Sequence, residues 1–286
     1  MLAHYGKRRR PDLTPVDFIL HLFYNTKMKH LILAVCAATA LIGNAEARVS
    51  KYRTHSVIAP AFSAKSYIVA SEDGTILKEQ DSDTIRPIAS ISKLMVALLA
   101  SEQDLTESLA IPTKRQVHSS IPYKLASLTR YELLTLALVR SDNFAAQILC
   151  INLPNCVERM NEKAQEIGMT STHYEEPTGL DKGNVSTAHD LLKLLMVASL
   201  SSTIKDISHL PKAEITLYRK SIKMNNTNPL TSRLDIILSK TGFTNPAGGC
   251  LVMIMNSSVG QRIYVLLGSR NGHTRIPDMM KLVNET

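Results

Sequence analysis

The chain has 286 residues, enough for one large domain or two lobes around a sizeable core. It carries a formal charge of +8, but no basic run is interleaved with aromatics and tryptophan is absent, so nucleic acid is excluded as a partner. The nine histidines never fall at His-x-x-x-His spacing and the four cysteines form no Cys-x-x-Cys pair, so no metal site is expected.

The front end reads as an export signal. Met28-Lys29-His30 precedes a mostly apolar stretch from Leu31 to Gly43, and Asn44-Ala45-Glu46-Ala47 follows. A basic start, an apolar region too short to span a bilayer and an Ala-x-Ala ending are the arrangement of a cleaved signal. Residues 1–47 are therefore expected to be an N-terminal extension and signal peptide cut near Ala47, leaving an exported chain from Arg48; an uncleaved anchor or a buried helix is the alternative. Residues 1–27, with Lys7-Arg8-Arg9-Arg10, read as an over-long start before Met28 or as an extended basic region. Cys36 follows Val35, too large for the residue before a lipoprotein cysteine, and lipidation is not expected. Without residues 1–47 a mild basic excess remains, which fits an anionic wall polymer or membrane surface but equally an ordinary soluble surface.

In chain order, Ser66–Ala70 and Thr75–Leu77 predict two strands joined by an Asp73-Gly74 turn. Next comes Arg86-Pro87-Ile88-Ala89-Ser90-Ile91-Ser92-Lys93, continuing as Leu94-Met95-Val96-Ala97-Leu98-Leu99-Ala100. Pro87 cannot lie inside a helix, so a helix is expected just after it, buried because the run is apolar nearly all round. Ser90 then sits in the first turn with Lys93 three residues on, on the same face, a nucleophile beside a base. The spacing alone is weak, since Ser202 and Lys205 repeat it in a polar segment read as surface.

Thr129-Arg130-Tyr131-Glu132 is a capping box opening the apolar run Leu133–Val139, which ends at Ser141-Asp142-Asn143. Val157, Met160, Ala164 and Ile167 recur at helical spacing up to Gly168, and Thr187 caps a helix through Leu195. Leu234–Gly242, Cys250–Met255 and Arg262–Leu267 are three strand-like runs, and a short helix from Pro277 closes the chain. An oxidising compartment permits a Cys150–Cys156 disulfide, although closeness in sequence does not establish the geometry, and one thiol must stay unpaired. His118, His189 and His273 read as structural or surface residues.

This order predicts an α/β (α+β) fold: an antiparallel sheet built from both chain ends with an inserted helical lobe and a cleft between them. Residues 48–286 would form one domain, its sheet lobe near 60–90 and 215–286 and its helical lobe near 91–214.

Three short motifs stand in order: Ser90-Ile91-Ser92-Lys93, Ser141-Asp142-Asn143 and Lys240-Thr241-Gly242. Each alone is weak, as Ser269-Arg270-Asn271 shows for the second, but the set in order is specific. With Glu176-Pro177-Thr178-Gly179-Leu180, Asn184-Val185-Ser186-Thr187-Ala188 and Lys240-Thr241-Gly242-Phe243-Thr244, the chain from about 60 to 270 resembles the low-molecular-mass penicillin-binding proteins of the D-alanyl-D-alanine endopeptidase and carboxypeptidase type. The endopeptidase branch matches best.

The resemblance implies a β-lactamase/transpeptidase-like fold and a periplasmic serine D,D-peptidase that cuts peptidoglycan cross-links and is acylated by β-lactams, without metal or cofactor. Ser90 would be acylated. Lys93 would take its proton, for which it must be neutral; burial and the like charge of Lys240 both favour that. Ser141 would relay a proton to the leaving amine, Asn143 would hold the substrate amide and orient Lys93, and Asp142 would face outward. Lys240 and Thr241 would bind a carboxylate, Gly242 would let substrate lie along the strand, and the N–H groups of Ser90 and Phe243 would form the oxyanion hole. Only a short tail follows the last strand, so the extra β-domain and amphipathic anchor of some carboxypeptidases are not expected. The alternatives are a D-alanyl-D-alanine carboxypeptidase, a serine β-lactamase, which would need a water-activating glutamate in a Glu-x-x-Leu-Asn setting that Glu175-Glu176-Pro177-Thr178-Gly179 does not match, and a wall-binding module that has lost catalysis.

Overall fold

The computed structural model describes residues 61–112, 117–119, 121, 127–217 and 219–286. The export signal, Cys36 and the start of the mature chain lie outside the described residues.

The first hairpin pairs β1 (Ser66–Ser71) with β2 (Ile76–Gln80). Its turn is held by the Asp73 carboxylate, which accepts from Ser71 Oγ and from Thr75 N–H, and Gly74 takes φ +86°. The sheet is completed from the other end of the chain by β5 (Ile236–Thr244), β6 (Gly248–Ser257) and β7 (Gly260–Ser269), in the order β2-β1-β7-β6-β5. All neighbours are antiparallel, and β1 pairs with β7 from Ser66 opposite Leu267 to Ser71 opposite Arg262.

Alternate residues of these strands go to two different cores. Ile68, Ala70, Val252, Ile254, Ile263, Val265 and Leu267 face one, Tyr67, Val69, Leu251, Met253, Tyr264 and Leu266 the other. A strand projects successive side chains to opposite faces, so a sheet covered on both sides needs unbroken apolar runs. That is why the last three strands stood out in the sequence.

The larger core holds α1 (Lys93–Ser101), with all but its last residue buried, together with α2 (Arg130–Val139), α3 (Asn143–Ile151), α4 (Cys156–Glu166), α5 (Ala188–Ala198) and α6 (Ser202–Ser208). The Thr129 capping box forms in full, with Thr129 Oγ1 accepting from Glu132 N–H and Glu132 reaching back to Thr129 N–H. Thr187 caps α5 as expected, through Asp190 N–H. The smaller core is covered by α7 (Arg275–Asn284), whose Met279 and Leu282 pack on it. Cys150 and Cys156 are bonded, joining the end of α3 to the start of α4, and among the described residues Cys250 is the free thiol, buried in β6.

A further hairpin has no counterpart in the sequence reading. β3 (Lys212–Leu217) and β4 (Lys220–Asn225) form a separate two-stranded sheet, with Ile215, Leu217 and Met224 joining the helix-side core. Ser202 is exposed at the start of α6, and Ser201 caps that helix, in keeping with a surface segment.

Candidate active site

Between Pro87 and α1 the chain forms a 3-10 turn, Ala89–Ser92, rather than starting the α-helix directly. Pro87 fixes the strand side of this junction by pairing with Val185. In a 3-10 turn residues i and i+3 eclipse, and Lys93 is both the cap of this turn and the first residue of α1. Lys93 Nζ therefore lies 2.8 Å from Ser90 Oγ.

Two other oxygens share Lys93 Nζ. Asn143 Oδ1, at the first turn of α3, lies at 2.8 Å, and the Thr178 carbonyl lies at 2.5 Å, itself 3.4 Å from Ser90 Oγ. Both can only accept. A neutral amine has two N–H groups and one lone pair, so donating to Asn143 and Thr178 turns the lone pair toward the Ser90 hydroxyl. Lys93 is fully buried, and burial pulls its pKa down to about 7 against the opposing pull of Glu176 and Asp142.

A second lysine stands beside a second serine. Lys240 Nζ on β5 donates to Ser141 Oγ at 2.7 Å and to its neighbour's carbonyl, Thr241 O, at 2.9 Å. Ser141 occupies the junction of α2 and α3 with φ +58°, the left-handed region that serine rarely adopts. Lys240 is held well below the ordinary lysine range, by burial first, then by Lys93 and Arg275. The carboxylates of Glu176 and Asp142 oppose the effect of burial at Lys93, whereas Lys93 and Arg275 add to it at Lys240.

Asp142 corrects an expectation. It does not face outward: it is buried, its carboxylate caps α3 by accepting from Ala145 N–H at 2.8 Å, and Ser119 Oγ donates to it. A helix start inside a protein needs an acceptor for its first N–H groups, and Asp142 supplies one. The capped helix carries Asn143 to Lys93.

Two glycines clamp the turn that carries Ser90. A Cβ on Gly242 would meet Ile88 O at 2.9 Å and Ser90 N at 3.1 Å, and one on Gly179 would meet Ala89 O at 1.9 Å. The backbones of β5 and of the loop after Pro177 approach too closely for any side chain. Each glycine is followed by an exposed apolar residue, Phe243 at 46 % and Leu180 at 51 %. Thr241 Oγ1 donates to Thr227 Oγ1 at 2.6 Å. All of Ser90, Lys93, Ser141, Asn143, Lys240, Thr241, Gly242 and Phe243 thus stand on segments that meet at this turn.

The family model for D-alanyl-D-alanine carboxypeptidases, peptidase family S11, matches residues 53–271. The chain belongs to this family. It is 36 % identical over 243 residues to a D-alanyl-D-alanine endopeptidase of Escherichia coli K12, covering 77 % of this chain and 76 % of the relative. Its fold is similar to a D-alanyl-D-alanine carboxypeptidase of Mycobacterium tuberculosis (TM-score 0.72, 29 % identity, 81 % and 93 % of the two chains). It is also similar to penicillin-binding protein D2 of Listeria monocytogenes in its ampicillin-bound form (TM-score 0.70, 29 % identity, 77 % and 96 % of the two chains). The fold and the family are those that the motifs led us to expect.

Other residues of this family member build the site without having been singled out for it. Arg275, at the start of α7, donates to Gly242 O at 2.9 Å and to Thr227 O at 3.5 Å, adding a guanidinium beside Lys240. Asn184 is fully buried and ties the loop to the turn: Oδ1 accepts from the N–H groups of Glu175 and Glu176, and Nδ2 donates to Ser92 Oγ and Glu176 O. Its backbone carbonyl also accepts from Ile88 N–H. Asn184 stood in a stretch quoted for its resemblance, but a lone Asn in a loop carries no further sequence signal. Arg275 opens the last helix and reads as an ordinary surface cation.

Proposed function

We propose that this chain is a serine D,D-peptidase acting on peptidoglycan stem peptides, with D-alanyl cross-links as its main substrate. The observation that carries this is the pair of acceptor-only oxygens around Lys93, which leaves the amine lone pair for the Ser90 proton.

Ser90 Oγ attacks the carbonyl of the D-alanine on the acyl side while its proton passes to Lys93. The tetrahedral oxyanion is held by the N–H groups of Ser90 and Phe243, a reading supported by the close approach of β5 to the turn, where a Cβ on Gly242 would lie 3.1 Å from Ser90 N. Asn143 holds the substrate amide and orients Lys93. Ser141 passes a proton to the leaving amine and recovers one from the Lys93 ammonium, which returns to the neutral amine; the C–N bond breaks, and the D-alanyl ester on Ser90 remains. Water, deprotonated by Lys93, then attacks the ester, and the Lys93 ammonium returns that proton to Ser90 Oγ as the carboxylate product leaves. The carboxylate of the leaving residue is bound by Lys240 and Thr241, with Arg275 adding charge behind them, and the substrate lies along β5 over Gly242. The same steps release a terminal D-alanine, and the similarity to a carboxypeptidase favours that as the second reading.

β-Lactams acylate Ser90 by the same attack. Residues 1–47 direct export and are cut near Ala47, and residues 48–286 form the peptidase domain, which works in the periplasm; no helix among the described residues is long and apolar enough to cross a membrane.

The test is labelling of residues 48–286 with a fluorescent penicillin beside Ser90→Ala and Ser202→Ala. A stable band lost only in Ser90→Ala is expected, followed by digestion of cross-linked muropeptides. A band that decays within minutes with drug turnover would instead make the protein a β-lactamase, and no band with an intact fold would make it a binding module.

A further inference from the structure

The loop after Tyr174 is closed by one side chain. Glu176 Oε2 accepts from Thr178 N–H at 2.7 Å, and Oε1 accepts from the N–H groups of Gly179, Leu180 and Asp181 at 2.5, 2.9 and 3.3 Å. Gly179, at φ +79°, turns these successive N–H groups to one side, forming a concavity that suits an anion. With the N–H groups gathered there, the Thr178 carbonyl points the other way, to Lys93 Nζ. The loop is pinned at its root by Asn184; between Glu176 and Asp181 the Glu176 carboxylate takes four N–H groups, and Thr178 Oγ1 adds one longer bond by accepting from Leu180 N–H at 3.2 Å.

We infer that Glu176 is a positioning residue for acyl transfer: by gathering four backbone N–H groups it aims the Thr178 carbonyl at Lys93 and so turns the lysine lone pair toward Ser90. This rests on reading Lys93 as the base. Glutamine cannot replace Glu176 in this role, because its amide offers one acceptor and would turn an N–H group toward the loop or toward Thr178 N–H.

Glu176 also carries the charge nearest in effect to Lys93. The charged groups facing Lys93 are Glu176 from the loop, Asp142 from the start of α3 and Lys240 from β5, with Arg275 behind Lys240. Glu176 and Asp142 favour the ammonium, Glu176 more strongly. Removing the Glu176 charge therefore lets Lys93 lose its proton at a lower pH. Disturbed packing alone has no such signature.

The experiment measures the acylation rate by a fluorescent penicillin between pH 5 and 9 on the full chain, for wild type, Glu176→Gln, Glu176→Asp and Glu175→Gln. Glu175 is exposed and its side chain pairs with His173, so it is the control. For Glu176→Gln the plateau rate is expected to fall about tenfold to a hundredfold, and the acid limb to move to lower pH. Glu176→Asp keeps the charge but is too short, so its plateau falls while the limb stays. Glu175→Gln matches wild type. A Glu176→Gln profile with the wild-type plateau, or with a lower plateau and an unmoved limb, would overturn the inference. If Glu176→Gln fails to fold by circular dichroism, a wild-type plateau in Glu176→Asp would overturn it. A wild-type profile with no acid limb would instead remove Lys93 as the base, which is a separate failure.

Discussion

Ser141 and Lys240 are 99 residues apart in sequence and 2.7 Å apart at Oγ and Nζ. The hydroxyl is the nearest partner of a lysine that burial and two cations push toward its neutral form. A carboxylate arriving beside Lys240 reverses that balance, since an opposite charge favours the ammonium. Binding of a peptide that ends in a carboxylate is therefore expected to take up protons, because the free Lys240 is pushed toward its neutral form. Titration calorimetry on Ser90→Ala in two buffers of different ionisation enthalpy reads this directly, and an uptake of zero would leave Lys240 charged in the free enzyme.

With Lys93 as the proposed base, the acylation rate takes its pH dependence from this lysine. With a pKa of about 7 set by burial, acylation is expected to rise about tenfold per pH unit below that value and to level off above it. The same lysine costs stability. Its folded pKa is depressed, so between about 7 and the unfolded value of 10.5 the unfolded chain binds more protons and stability rises with pH. Below about 7 the full cost of the buried ammonium is present. Lys93→Met is expected to abolish acylation and to raise stability by a few kcal/mol at pH 6, with a smaller gain at pH 9. Chemical denaturation at the two pH values checks this.

The two clamping glycines should fail differently. Gly179→Ala sets a Cβ 1.9 Å from Ala89 O at φ +79°, and is expected to cost more than about 3 kcal/mol or to abolish folding. Gly242→Ala meets backbone at 2.9 Å but without a positive φ, a milder clash that still obliges the turn and β5 to shift. It should stay folded and lose about tenfold to a hundredfold in acylation rate. Thermal melts and acylation rates of the pair separate the two effects.

Asn184→Ala removes both side-chain acceptor bonds and both donor bonds at a fully buried position. A loss of about 3 kcal/mol is expected, because the partner groups are left without water. Denaturant midpoints measure it, and Asn184→Asp, which keeps the acceptor for Glu175 and Glu176, should recover part of the loss.

The sequence carried the side chains proposed to react because each sits in a pattern with a physical period. Ser90 and Lys93 head an apolar run that can only be a buried helix, and Lys240 to Phe243 end a strand whose two faces are both covered. What it did not carry falls into two kinds. Backbone groups leave no residue signature, so the Thr178 carbonyl beside Lys93 was invisible. Asp142 was misjudged because a polar triplet does not say which member caps the following helix and which points into the cleft. The β3–β4 hairpin was missed for a local reason: its strands are rich in lysine, and its turn uses Arg219 at φ +62° where a glycine or asparagine would have announced it.

The pairing of β1 with β7 sets when the protein can become active. The first strand after the described N-terminal edge finds its second neighbour only at Arg262–Leu267, and the catalytic turn leans on β5 through Gly242. A chain still being synthesised therefore holds Ser90 and Lys93 long before it has the strand that braces them. Such late closure favours slow assembly, and it makes the nucleophile a product of the finished fold: a chain cut short before β5 carries the residues of the site without its reactivity.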